Sequence, residues 1–228
     1  MGYTRNYIIT KCKEAFKDKN TFYKQQFINY RGKTEDTDEH FSEVIAEFLC
    51  SCISEYTNGI DTLTRENSYK IDSHDGVIKD HDSCREEEMI AMKMFEQEYD
   101  FIGKIIDYQT PLKNKRSDEA GKIDLLAYDG KTLYILELKK PDSDETMLRC
   151  VLEGYTYWKT VDKAKLLKDF KLPAETVVKA CPFVFRNGRQ HNEMNEVRPH
   201  LKQLMDLLGS KTYYVSENYG GKFIVTEK

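Results

Sequence analysis

Between Gly121 and Pro141 the chain reads GKIDLLAYDGKTLYILELKKP, with apolar residues gathered in two runs, Ile123 to Tyr128 and Thr132 to Leu138, around Asp129-Gly130. Short runs of strand formers on either side of an Asp-Gly pair predict a β-hairpin. In the second run Leu133 and Ile135 share a face with Glu137, while Tyr134, Leu136 and Leu138 occupy the other, so the strand is expected to be buried on both sides. Pairing Tyr128 with Lys131 across a two-residue turn would place Asp124 opposite Ile135 and diagonal to Glu137, roughly 7–8 Å away. Lys139 then falls on the same side as Glu137.

The rest of the pattern is mostly helical before this hairpin and mixed after it. Phe41, Val44, Ile45, Phe48, Cys52, Ile53 and Tyr56 trace one face of a helix, with Asp38 as its expected N-cap. Shorter amphipathic helices are predicted from Tyr7 to Phe16 and from Thr21 to Tyr30. From Thr57 to Ser83 the chain is polar and broken by Asn58-Gly59 and Asp75-Gly76, with short strands expected over Ser68 to Ile71 and Val77 to Lys79. A helix from Arg85 to about Tyr99 carries Met89, Met92, Phe95 and Tyr99 on its inner face, and Ile102 to Thr110 reads as a strand. After the hairpin come a helix from Glu145 to about Trp158 capped by Asp142 to Asp144, a strand over Val177 to Phe185, a helix from Pro199 to Leu208 stopped by Gly209, and a closing hairpin from Thr212 to Val225. This order predicts an α/β protein, with a helical accessory region and polar loop over residues 1–80 and the sheet-bearing domain over 81–228.

With 228 residues, 39% of them hydrophobic and 32% charged, the chain allows one sizeable domain or a core with an appendage. It has no apolar run of the ~20 residues needed to span a bilayer and no signal-peptide pattern, so no membrane association and a cytoplasmic location are expected. Six scattered cysteines (Cys12, Cys50, Cys52, Cys84, Cys150, Cys181) read as reduced, mostly buried thiols. His74 and His81 lie among aspartates in the polar segment, which reads as a solvated loop before it reads as a metal site. The net charge of −4 is unevenly spread: residues 1–109 hold 14 Lys and Arg against 22 Asp and Glu, whereas residues 110–228 hold 21 against 17. Lys113, Lys115 and Arg116 precede the hairpin, and Lys159, Lys163, Lys165, Lys168 and Lys171 follow the next helix, a distribution that suits a phosphate backbone.

Two carboxylates and a lysine on a buried hairpin call for a metal or an ion cluster, because such groups are costly to bury without partners. Asp124, followed thirteen positions later by Glu137-Leu138-Lys139, resembles the active-site signature of the PD-(D/E)XK nuclease superfamily, although Ile123 stands where the family usually has proline. The resemblance covers about Cys84 to Phe185. It implies a restriction-endonuclease-like αβββαβ core with a central mixed sheet, here beside an N-terminal helical region. It further implies Mg²⁺, with Mn²⁺ as a substitute, held by Asp124, Glu137 and the Leu138 carbonyl. A glutamate of the first core helix often joins the metal cluster in the family; Glu88, one turn before Met92, is the first choice and Glu87 the second. On the helix after the hairpin Arg149, Glu153 and Tyr157 share a face and resemble the Gln-x-x-x-Tyr element of exonuclease-like branches, with Glu153 in place of Gln. An ordinary Arg–Glu pair on a solvated helix accounts for that spacing equally well. Arg149, Lys140 and Tyr157, with Lys113, Lys115 and Arg116, are the expected nucleic-acid contacts.

The reaction implied is hydrolysis of a phosphodiester, DNA being expected before RNA, with Lys139 orienting or deprotonating the attacking water. A homodimer would let both strands of a duplex be cut. Two other readings stay open: a non-catalytic nucleic-acid- or protein-binding module that retains the fold, and a purely structural ion network.

Overall fold

The computed structural model describes residues 2–78, 85–114 and 121–227. Helix α1 (Arg5–Ala15) is capped by Thr4, whose side chain accepts the Tyr7 N–H. Two short 3-10 turns, Phe22–Lys24 and Gln26–Asn29, stand where an amphipathic helix was expected, because Gln25 between them is extended. The long helix expected through Tyr56 is two, α2 (Phe41–Ser51) and α3 (Ile53–Asn58). Near the break, Ser51 Oγ and Cys52 Sγ both bond back to the Phe48 carbonyl, the kind of local contact that competes with helical hydrogen bonds. Asp38 is not the cap of α2; it takes a positive φ of 55° in the preceding turn, and His40 occupies the cap position. Neither Ser68–Ile71 nor Val77 and Ile78 form a strand, and Lys79 lies outside the described residues.

Helix α4 (Glu86–Met94) is shorter than its apolar spacing suggested. Glu96 turns left-handed at φ 63°, and β1 (Glu98–Tyr99) folds back to pair with Lys104 and Gly103 at the start of β2 (Gly103–Pro111). The fully buried positions of α4 are Ala91 and Met94, so its inner face is rotated from the Met89–Met92–Phe95 row expected of it. Then follow β3 (Lys122–Tyr128), β4 (Thr132–Lys139), α5 (Met147–Thr160), α6 (Lys163–Asp169), β5 (Val177–Phe185), α7 (Arg189–Asn195), α8 (Pro199–Leu208), β6 (Tyr213–Glu217) and β7 (Phe223–Thr226). The N-cap of α5 is Thr146, which accepts the Arg149 N–H; Asp142 and Asp144 pair instead with Lys140 and Arg31.

The seven strands of the described residues lie side by side in chain order. β1 to β4 are antiparallel, β4, β5 and β6 run parallel through the helical connections, and β7 returns antiparallel. β4 is the central strand, and every residue from Leu133 to Lys139 is buried. One sheet face packs against a continuous apolar cluster that joins residues of α1, α2, α5 and α8, so the N-terminal helices share a core with the sheet. The other face packs on α4 through Ala91, Met94, Leu136 and Leu138. Among the described residues no helix is long and apolar enough to cross a membrane.

Candidate active site

The turn joining β3 and β4 sets the geometry of the site. The observed register pairs Tyr128 with Leu133 and Leu125 with Leu136, two residues away from the register expected from the sequence. The two central turn residues are Gly130 and Lys131, with Asp129 N–H donating to the Thr132 carbonyl. Gly130 takes φ 95°, as a hairpin turn with glycine in its first central position requires. Asp129 Oδ1 accepts the N–H groups of both Lys131 and Thr132, which fixes this turn in place of the Asp-Gly one. A shift of two residues keeps every side chain on its face. Continued by one step, the register sets Asp124 directly opposite Glu137 instead of diagonal to it.

Glu137 and Lys139 extend the row of Leu133 and Ile135 on the α5 side of β4 and are 3% and 4% exposed. Lys139 Nζ lies 2.8 Å from Glu137 Oε1, 2.6 Å from Glu145 Oε2 and 3.4 Å from Glu153 Oε2. Asp124 accepts the Leu138 N–H at 2.9 Å on one oxygen and the Gln109 side-chain amide at 3.1 Å on the other. α5 comes close enough to take part because Gly154 has no side chain: a Cβ there would stand 3.2 Å from the Glu137 Cβ. Glu137 Oε2 is buried without a hydrogen-bond partner.

The electrostatics follow from five carboxylates (Asp124, Glu137, Glu87, Glu145, Glu153) around two cations, Lys139 and Arg149. Burial pushes the Asp124 carboxyl up to about 7, with repulsion from Glu87 and Glu153 added and attraction to Lys139 opposed. Burial likewise lifts Glu137 well above the ordinary carboxylate range, and Asp124 and Glu153 raise it further. Glu153 is the exception: burial disfavours its charge, but Lys139, Arg149, the Tyr157 hydroxyl and a hydrogen bond with the Glu137 carboxyl outweigh that and hold it low. For Lys139 burial works against the ammonium, yet Glu137, Glu153 and Glu145 hold it well above its usual range. The site is therefore short of positive charge.

The first turn of α4 reaches the ends of β3 and β4. Glu87, three and seven residues before Ile90 and Met94, is the glutamate that turns inward: its Oε1 accepts the Lys140 N–H, and burial raises its pKa. Glu88 also borders the cleft but pairs with Arg85 at 3.4 Å. Lys140 Nζ is held by Glu86 at 2.9 Å and Asp142 at 3.2 Å. Arg149 is drawn away from the cleft, donating to the Tyr23 carbonyl and lying 3.4 Å from Glu153 with its guanidinium over the Tyr23 ring. Tyr157 donates to Glu153 Oε1 at 2.8 Å, so Glu153 is a buried partner of the cluster rather than part of a solvated helix face. Lys113 lies just past β2 and is absent from the lining of the cleft, and Lys115 and Arg116 lie outside the described residues.

A cleft of about 580 Å³ opens over Asp124, lined also by Gln109, Lys122, Glu87 and Lys140. Gln109 and Lys122 were not singled out from the sequence, nor was Glu145. Gln109 carries no motif; it is aimed at Asp124 by a left-handed backbone, φ 48°, within β2. Among the described residues no three His, Cys, Asp or Glu side chains stand together as a ready metal cage. Comparison with models of known protein families, with curated proteins and with solved structures gives no match.

Proposed function

We propose that this protein is a divalent-cation-dependent nuclease that hydrolyses phosphodiester bonds, with Asp124, Glu137 and Lys139 as its reacting centre. The observation that carries this reading is the pair of opposed, buried carboxylates whose pKa values are raised: Asp124 lines an open cleft, and Glu137, buried behind it, has an oxygen left without a hydrogen-bond partner. Structural carboxylates are normally satisfied; this pair leaves hard oxygen donors and an unmet need for positive charge, which suits Mg²⁺ or Mn²⁺. Asp124 and Glu137 would hold the ion, with the Leu138 carbonyl and Glu87 beside them. With the two-residue β1 and the short α6 set aside, the order α4, β2 to β4, α5, β5 is also in keeping with the αβββαβ core of the nuclease superfamily that the Asp…Glu-x-Lys spacing resembles.

The bound cation would supply charge neutralisation at the phosphate and a more acidic water. Lys139, fixed by three carboxylates, brings its ammonium to the Glu137 oxygen and so offsets charge that develops as the diester is attacked. Gln109 and the Leu138 amide keep Asp124 from rotating away. DNA is the substrate to test first, and RNA second.

A structural ion network is the competing reading, favoured by the way Lys139 already contacts three carboxylates. The two separate on a panel of supercoiled, linear and single-stranded DNA and of RNA, incubated with Mg²⁺, Mn²⁺ or chelator. Cleavage that needs the cation and disappears in Lys139→Ala supports the nuclease. Indifference to cation and to the substitution leaves the network or a binding module.

A further inference from the structure

The cleft does not end at Gln109. A second compartment of about 460 Å³ shares Gln109, Lys122, Arg85 and Glu88 with it and continues to His74. His74 is held more firmly than a loop histidine needs to be. Its Nδ1 lies 2.6 Å from Asp107 Oδ1, and its ring stacks on Tyr108 with centroids 4.4 Å apart. Asp107, 2% exposed, has its other oxygen occupied by the Thr110 hydroxyl at 2.7 Å. Burial raises the Asp107 carboxyl even so, with His74 and Thr110 opposing. The strand carrying these groups departs from regular pairing twice, at a register shift between Ile105 and Asp107 and at the left-handed Gln109. Backbone irregularity of this kind collects where side chains are re-aimed for a task.

With Nδ1 engaged by Asp107, only the Nε2 edge of the imidazole is left for the compartment that the ring borders. The lining of the compartment also includes the apolar side chains of Met89, Met92 and Val77. Asp107 and Gln109 are two strand residues apart, about 7 Å, and Gln109 touches Asp124. That offset is on the scale of one nucleotide.

We propose that this compartment is a nucleotide subsite beside the scissile phosphate, in which His74 and Lys122 meet the backbone phosphate and the methionine wall takes the base. The inference rests on the nuclease reading for the kind of ligand, while the site itself rests on the His74–Asp107 pair and the shape of the cavity. His74 is assigned as a substrate contact, and Asp107 as its positioning residue.

The test uses His74→Ala and Val77→Trp. The second fills the compartment from a position that is 55% exposed, so it spares the core even if loss of the partner of Asp107 unsettles the first. Binding of adenosine 5′-monophosphate and of a short labelled oligodeoxynucleotide is measured in chelator, and steady-state cleavage in Mg²⁺. Both variants are expected to weaken binding about tenfold, His74→Ala by loss of a hydrogen bond to the charged phosphate and Val77→Trp by filling the space the nucleotide needs, and to raise KM more than they lower kcat. Wild-type cleavage with binding and KM unchanged in both variants overturns the subsite and leaves the nuclease standing. Nucleotide binding lost in both variants without cleavage by wild type keeps the subsite and removes the nuclease. Neither binding nor cleavage by wild type overturns both.

Discussion

Glu137 carries the sharpest consequence at the scale of single residues. Its carboxylate is buried with one oxygen unpaired, so its charge is a cost in the absence of a cation. Glu137→Gln should abolish cation-dependent cleavage while leaving the protein as stable as wild type or more so, as read by thermal melting in chelator. Lys139→Ala should do the opposite to stability, since it strands three carboxylates around an empty position. Breaking a buried ion cluster of this kind costs about 3–5 kcal/mol, so its melting temperature belongs beside any activity measurement. That Asp124, Glu137 and Lys139 come together was legible in the sequence because a D…ExK spacing on a hairpin is a local pattern. Glu87 was harder: the choice between it and Glu88 depends on which face of α4 is buried. The sequence offered two methionines and a phenylalanine, whereas tertiary packing buried Ala91 and Met94.

At the scale of elements, α5 holds the site shut from behind. Gly154→Ala brings a methyl to 3.2 Å from the Glu137 Cβ, where helix and strand must part slightly. The gain in helix propensity offsets part of the strain, and a net loss of about 1–2 kcal/mol is expected; denaturant unfolding would measure it, with a fall in cleavage rate as Glu153 moves from Lys139. Thr146→Ala removes the N-cap of α5 and the bond from Thr146 Oγ1 to the Ile28 carbonyl, and should cost about 1–2 kcal/mol in the same experiment. β2 to β7 and most helices were legible from period and length, β5 and α8 with their observed ends, whereas β1 lies in a stretch expected to be helical and α6 and α7 were not foreseen. The β3–β4 turn was not, because Asp-Gly fits a hairpin in two registers. Asp129, by capping the N–H groups of Lys131 and Thr132, decides between them through a side-chain contact that pattern alone does not specify.

For the whole molecule, the carboxylate cluster couples folding to pH and to cation. Burial pushes the Asp124 carboxyl from an ordinary value of 3.8 up to about 7 in the folded chain. Between those values the folded state keeps a proton that the unfolded state has released. Its contribution is therefore whole below the lower value and is lost as pH rises toward the upper one, up to about 4 kcal/mol. A divalent cation that binds the deprotonated pair should recover stability most where the proton is gone. The rise in melting temperature with millimolar Mg²⁺ should thus be larger at about pH 8 than at about pH 5; an equal rise at both would speak against binding at Asp124 and Glu137. The shared core of the N-terminal helices and the sheet was only partly foreshadowed by the amphipathic pattern, since pattern shows that a face must be covered and not by what.

The most direct test of the central claim is conversion of supercoiled plasmid by wild type and Glu137→Gln, each with Mg²⁺ and with chelator. Nicked or linear product from wild type in Mg²⁺ alone, and none from a Glu137→Gln protein that melts at or above the wild-type temperature, is the result expected. Equal cleavage by the two folded proteins, or cleavage that persists in chelator, would contradict the assignment of Asp124 and Glu137 as the cation-holding pair of a nuclease.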